Sequence, residues 1–228
     1  SELAAKQAAE ESDPVRKAEL LEISDICSRI PIEAPKTFAE AIQMVWFIHV
    51  IISIEANGHG TSLHRFDQYM NPFYVRDLKE GRITEERAME YIECLYIKFT
   101  DILKLRDKFY SASFAGYPIW QNLIVGGQTE DGKDATNEMS FLALRANRDV
   151  QTSQPTASVR YFNGLSEELV QEGLKMIQDG LATPAFFNDE LVVPMVMEKL
   201  GVSAEVARNW GIQGCVQPIV AGCSDGRP

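Results

Sequence analysis

From Gln121 onward, short apolar runs alternate with amphipathic stretches, and this alternation restricts the fold more than any other feature of the 228-residue chain. "QNLIVGG" (Gln121 to Gly127), "PTASVRYF" (Pro155 to Phe162) and "PAFFND" (Pro184 to Asp189) read as short strands. A helical segment follows each of them. "DGKDATNEMSFLALRANR" comes first. "EELVQEGLKMIQD" follows, capped by Ser166 and ended by Gly180, and then "ELVVPMVMEKL", closed by Gly201. Ser203 caps "AEVARNW", after which one more strand and turn are expected. Strands alternating with helices predict an α/β fold with a largely parallel sheet. Ligands in such sheets gather at the carboxyl ends of the strands.

The chain divides into a mainly helical part, residues 1–110, and the alternating part, residues 111–228. The first 28 residues look helical, with a break at Asp13-Pro14. Thr37 and Glu40 form a capping box in which the Glu40 carboxylate is expected to reach back to the cap. The helix it opens, Phe38 to about Ile54, is apolar on nearly all sides and is expected to be buried in a large protein. "EANGHGTSLHRFDQYMNPFY" is rich in Gly, Asn and His and reads as a loop. Thr84 caps a helix to about Arg106, with Ala88, Ile92, Leu95, Tyr96, Phe99 and Leu103 on one face.

Charge excludes some functions. There are 33 acidic and 22 basic side chains, a net charge of −11, so neither nucleic acid nor an anionic membrane is an expected partner. The N-terminus is polar and has no signal-peptide pattern. The apolar run from Met44 to Ile54 is too short to span a bilayer, and His49 interrupts it. Cys27, Cys94, Cys215 and Cys223 form no CxxC pair and have no zinc spacing, which points to a reducing cytoplasm. The chain stops at "CSDGRP" with no helix to cover the last strand, and so reads as a piece of a longer one.

Cys215 stands in "GIQGCVQP", an apolar turn, between a glycine and a valine. A buried structural cysteine would behave there as a small hydrophobe. Ionic attack would require a thiolate, and hence a nearby cation or helix N-terminus, which the local sequence does not offer. Loss of a hydrogen atom gives a neutral thiyl radical that needs no counter-charge. It requires exclusion of water and oxygen, and the close backbone approach that glycine permits. His59, His64, Asp67 and Glu55 can be read as metal ligands, but their spacing fits no standard site, and no metal is expected. Arg65 and Asp67 fit a structural ion pair or a loop anchor better. Asn122, Arg160 and Asn188 fall near strand ends. Arg160 could grip a substrate carboxylate with two bonds, though an ion pair in the wall of the fold is the stronger reading. Trp46, Trp120 and Trp210 are most simply core.

"GCVQP" resembles the Gly-Cys-Val-Glu-Pro motif of the glycyl radical enzymes, the pyruvate formate-lyase-like family with its glycerol- and choline-type members. "ANGHGTSLHRFDQYMNPFY", "FAGYPIWQNLIVGGQTEDGKDATNEMSFLAL", "QPTASVRYF" and "GLATPAFFNDE" are similar to further family blocks, in family order from about Ala39 to Pro218. The resemblance implies part of an α/β barrel with helices outside and the cysteine turn inside. It implies a radical-based lyase of small organic molecules, closer to the dehydratase and decarboxylase branch than to pyruvate formate-lyase. Cys215 is then the hydrogen-abstracting residue, and Gln217, His59, Gly60 and Trp120 are its substrate neighbours. No bound cofactor is implied. The glycyl radical is a modification installed by a radical S-adenosylmethionine, iron–sulfur activating enzyme. Complete members of the family it resembles are usually homodimers.

Two departures qualify this. The family's glycyl radical loop, with its Arg-Val-x-Gly-like core, is not in these residues, so the segment alone is expected not to turn over. Gln217 stands where dehydratase-type members carry Glu, and an amide cannot act as a general base. The serine that follows the histidine in glycerol-type members is Gly60 here, which suggests a larger or less polar substrate than glycerol. A non-catalytic homologue that binds a ligand or subunit is the rival reading, and an ionic cysteine enzyme with His59 or His64 as base is a third. Cys223 is read as structural.

Overall fold

A computed structural model describes residues 1–55, 59–102, 107–113 and 119–223. The first part is helical: α1 (Glu2–Glu10), α2 (Pro14–Arg29), α3 (Phe38–Glu55), α4 (Phe66–Lys79), α5 (Glu85–Thr100) and α6 (Lys108–Ser113). Then follow β1 (Asn122–Gly126), α7 (Glu138–Val150), β2 (Thr156–Tyr161), α8 (Glu167–Gln178), β3 (Ala185–Asn188), α9 (Asp189–Leu200), α10 (Ala204–Ala207), β4 (Trp210–Gln213) and β5 (Gln217–Val220).

Local chemistry sets most boundaries. Asp13 accepts from the amides of Val15 and Arg16, with Pro14 at the first helical position, so the break becomes the start of α2. Thr84 and Ser166 cap α5 and α8 through their side chains. Gly201 ends α9 in the left-handed conformation, at φ 64°. The expected box at Thr37 forms only in part. Thr37 Oγ1 accepts from the Glu40 amide, but the Glu40 carboxylate passes the cap and takes the Lys36 amide and the Arg29 guanidinium instead.

β1, β2 and β3 form a parallel sheet in that order, with Asn122 opposite Thr156 and Arg160 opposite Phe187. Side chains alternate across it. Leu123, Val125, Ala157 and Val159 face the helices and join Phe66, Met70, Ile92, Tyr96, Phe99, Met139 and Leu142 in the main core. Each such aliphatic side chain, fully buried, stabilises the fold by about 1.5–3 kcal/mol. On the other face Ile124 packs with Val193, Val196, Trp210, Ile212 and Val220, beneath the antiparallel hairpin of β4 and β5.

The hairpin runs against the parallel sheet. At its start, the Trp210 carbonyl accepts from Arg160, near the carboxyl end of β2. At its far end, Gly214 bonds to Gly60, whose amide in turn bonds to the carbonyl of Ile119, just before β1. The cysteine turn therefore sits at the carboxyl end of its own strand but at the amino end of β1. The general expectation for parallel sheets places it at the opposite end.

Among the described residues the three-stranded sheet does not close on itself, and the hairpin forms a separate two-stranded sheet. Three other expectations need correction. α3 is not buried all round: Phe38, Ala41, Ile42 and His49 are buried, while Ile48, Ile51, Ile52 and Ile54 are exposed. With 18 residues it is long and apolar enough to cross a membrane by length and composition alone, which the run from Met44 to Ile54 is not. The stretch expected as one long loop contains α4, because Phe66, Met70 and Tyr74 recur at helical spacing and are buried despite Pro72. The helix expected over "AEVARNW" stops at Ala207, and Trp210 opens β4. Leu103 and Arg106, expected in α5, lie outside the described residues.

Candidate active site

Three segments converge at the amino end of β1: the loop from His59 to Arg65, the approach to β1 at Ile119 and Trp120, and the Gly214-Cys215-Val216 turn. Backbone bonds tie them together. The Gly60 amide donates to the Ile119 carbonyl at 2.8 Å. The Gly214 amide donates to the Gly60 carbonyl at 3.2 Å and to Ser62 Oγ at 2.9 Å. Gly60 and Gly214 both have positive φ, 72° and 64°, and each presents bare backbone to the other.

The loop is held from below. Arg65 is buried and donates to the carbonyls of Gly126, Gln128 and Arg208 and to Asn209 Oδ1. Burial, with Arg160 nearby, lowers its pKa to about 10. Asp67 accepts from the Gly126 amide at 2.8 Å and from Ser140 Oγ at 2.6 Å, and burial raises its pKa. The two residues thus anchor the loop to the end of β1, Arg65 at the Gly126 carbonyl and Asp67 at the Gly126 amide.

Of the expected site residues, His59, Gly60 and Trp120 come together. The His59 ring lies edge-on to Trp120 at 4.7 Å and bonds to Tyr110 Oη at 2.5 Å. Trp120 is half-buried and has the left-handed φ of 50°. Gly60 joins this cluster to the cysteine turn. Cys215 is exposed in this chain, as is Val216, so the enclosed turn expected from sequence is not reproduced by these residues alone. Gln217 is half-buried on β5, directly across the hairpin from Gln213.

Arg160 proves to be structural. It grips Asp189 with two bonds, Nε to Oδ1 at 2.8 Å and Nη2 to Oδ2 at 2.7 Å, both side chains fully buried. Its guanidinium lies over Trp210, whose indole also donates to Asp189. Asn122 donates to Ser158, and Asn188 caps α9. Trp210 is core, whereas Trp46 is only half-buried, its ring facing Phe99 and Lys98. Among the described residues no three His, Cys, Asp or Glu side chains are grouped to hold a metal ion. Cys223 is exposed and unpaired with another thiol.

The sequence reading missed Tyr110, Ser62 and His64. Tyr110 and Ser62 carry no local signal, since their roles depend on distant partners. His64 was singled out only as a metal ligand or a base. Its ring is instead packed on Gly211 of β4. A groove of about 300 Å³ between α2, α3 and α5, lined by Ile23, Ile26, Trp46, Tyr91 and Cys94, contains none of the site residues.

Fold and site define an α/β chain that presents a thiol on a glycine-lined hairpin against a histidine–tryptophan loop. Residues 1–227 match the pyruvate formate lyase-like family. The chain is 36% identical to the probable dehydratase YbiW of Escherichia coli, covering 96% of this chain and 28% of that protein. It is 38% identical to the isethionate sulfite-lyase of Nitratidesulfovibrio vulgaris, covering 95% and 26%. The glycerol-bound structure of the B12-independent glycerol dehydratase from Clostridium butyricum superimposes with a TM-score of 0.92 at 47% identity, over 97% of this chain and 28% of that one. The protein belongs to the pyruvate formate lyase-like family of glycyl radical enzymes. The chain spans about a quarter of the length of these relatives.

Proposed function

We propose that the full-length protein is a radical lyase that cleaves a C–O, C–N or C–C bond of a small organic substrate, with Cys215 as the hydrogen-abstracting residue. The chain would be one segment of a larger catalytic domain, its sheet part of a barrel that encloses the cysteine turn. A glycyl radical held outside this chain supplies the oxidising equivalent, once a radical S-adenosylmethionine activating enzyme has installed it. Cys215 would pass the hydrogen atom of its S–H bond to that radical, restoring a glycine C–H bond. The thiyl sulfur then takes a hydrogen atom from a substrate C–H bond, re-forming S–H and leaving a carbon radical. Cleavage of the adjacent bond releases the leaving group as a small molecule, the product radical recovers a hydrogen atom from Cys215, and the thiyl sulfur takes its own hydrogen back from the glycine. Gln217 holds the substrate by hydrogen bonds, and His59, Gly60 and Trp120 line its other side. The working protein would be a cytoplasmic homodimer.

The observation that carries this reading is the Gly60–Gly214 contact. It seats the His59–Trp120 cluster beside the cysteine turn, where a substrate would touch both. Chemically the site suits a neutral radical, because the turn itself bears no charged side chain. The protein contributes orientation and exclusion of solvent.

The test uses the full-length protein, incubated without oxygen with its activating enzyme and S-adenosylmethionine. A glycyl doublet in the EPR spectrum, with substrate turned over by the wild type but not by Cys215→Ala carrying the same doublet, supports the proposal. No doublet, from an activating enzyme proven on another protein, leaves a non-catalytic homologue as the better reading.

A further inference from the structure

We propose that His64 is a positioning residue for Cys215. It wedges the root of the β4–β5 hairpin and so fixes how the thiol is held over the His59–Gly60 loop.

The backbone of His64 is stitched to the free edge of β1. Its carbonyl accepts from the Ile124 amide at 3.0 Å, and the Leu63 amide beside it donates to the Asn122 carbonyl at 2.7 Å. This segment therefore runs beside β1 as a short parallel extension, with a bridge from His64 to Leu123. At that point φ is 56°, the left-handed region that side-chain-bearing residues avoid. The unfavourable backbone directs the imidazole onto β4.

There the ring lies against bare backbone. A Cβ added to Gly211 would come within 2.3 Å of His64 Cδ2 and 2.5 Å of Nε2, so only glycine fits beneath the ring. Gly211 pairs across the hairpin with Ile219, so the ring is set against one member of a cross-strand pair near the hairpin's root.

Packing alone would not select histidine. His64 Nε2 is buried and has no hydrogen-bond partner among the described residues, and the same is true of Gln213 Oε1, on the Gly211 side of β4. An apolar side chain would fill the space without leaving a polar atom unpaired. Positive φ at a residue with a side chain recurs at this site, at Trp120 as well as His64. Strain at two such residues beside one turn is a mark of a site held in one geometry.

The inference rests on the radical-lyase reading only in its activity measurement. The test compares full-length wild type with His64→Gly and His64→Asn, two replacements that tolerate a left-handed backbone. Hydrogen exchange is followed at the β4–β5 amides, with those of β1–β3 as reference, and Cys215 alkylation by iodoacetamide is timed. Turnover is counted per glycyl radical. In His64→Gly the hairpin amides should exchange about tenfold faster while the reference strands are unchanged. Alkylation should quicken, and turnover per radical should fall about tenfold with little change in KM. His64→Asn should fall between, and it decides the matter if the glycine variant does not fold. Unchanged hairpin exchange and alkylation would overturn the wedge, and so would a loosened hairpin with full turnover. If the wild type forms no radical, exchange and alkylation still decide the wedge, so the two failures are distinguishable.

Discussion

The Gly60 carbonyl accepts from the Gly214 amide at 3.2 Å, and this bond joins the histidine loop to the cysteine turn. Neither residue has a side chain to interpose. The two backbones approach because each adopts a positive φ that glycine tolerates.

A methyl group at Gly60 would meet Gly214 Cα at 3.4 Å, an ordinary contact, so Gly60→Ala should be limited by its dihedral. We expect a loss of about 1 kcal/mol, read as a lower urea midpoint. Gly127→Ala is the contrast. Its Cβ would fall 2.5 Å from Arg160 Nε and 2.8 Å from Arg160 Cβ, inside a fully buried ion pair. That variant should be clearly the less stable of the two. Equal midpoints would contradict the packing described here.

The Arg160–Asp189 pair holds β2, β3 and the start of β4 together, since Arg160 also donates to the Trp210 carbonyl. Removing one partner leaves a buried charge uncompensated. Arg160→Met should therefore destabilise by about 3–5 kcal/mol. Adding Asp189→Asn to Arg160→Met should recover part of that loss. A double variant less stable than the single one would refute the buried-pair account.

Much of this was legible in local sequence. The break at Asp13-Pro14, the caps at Thr84 and Ser166, the terminator Gly201 and the strand runs before Gly127 and Phe162 need only neighbours to act, and they act as expected. Thr37 shows the limit. Its box is a local pattern, yet Arg29, from another helix, takes part of the Glu40 carboxylate. α4 was hidden by Asn71 and Pro72, although Phe66, Met70 and Tyr74 already carried its period. The direction of β4 was not legible, because it follows from Arg160 meeting the Trp210 carbonyl and Gly60 meeting Gly214, contacts between segments far apart in sequence. Cys215, His59, Gly60 and Trp120 were readable as candidates from motif likeness. The wedge of His64 on Gly211 was not, since no pattern in either segment names the other.

Gln217 offers a chemical test. Gln217→Glu in the full-length protein places a titrating carboxylate across the hairpin from Gln213. If Gln217 lies against the reacting groups, the variant's rate should follow the ionisation of the new carboxylate and gain an acidic limb that the wild type lacks. Rate–pH profiles of the two proteins check this. Superimposable profiles would place Gln217 away from the reacting groups.

His49 makes stability depend on pH. It is buried in α3, its ring 4.7 Å from that of Phe99, and its Nε2 finds no hydrogen-bond partner among the described residues. Burial disfavours the charged ring and lowers its pKa from 6.5 to about 4. Between those values the unfolded chain binds a proton that the folded chain does not, so stability falls as pH drops from 6.5 toward 4 and is undiminished by this group above that window. The whole shift corresponds to about 3 kcal/mol. His49→Leu keeps an apolar helix former at the site and has no proton to bind. Urea denaturation at pH 7 and pH 4.5 should therefore show a smaller loss of stability for His49→Leu than for wild type. Equal losses would mean that the acid sensitivity arises from the carboxylates and that His49 titrates alike in both states.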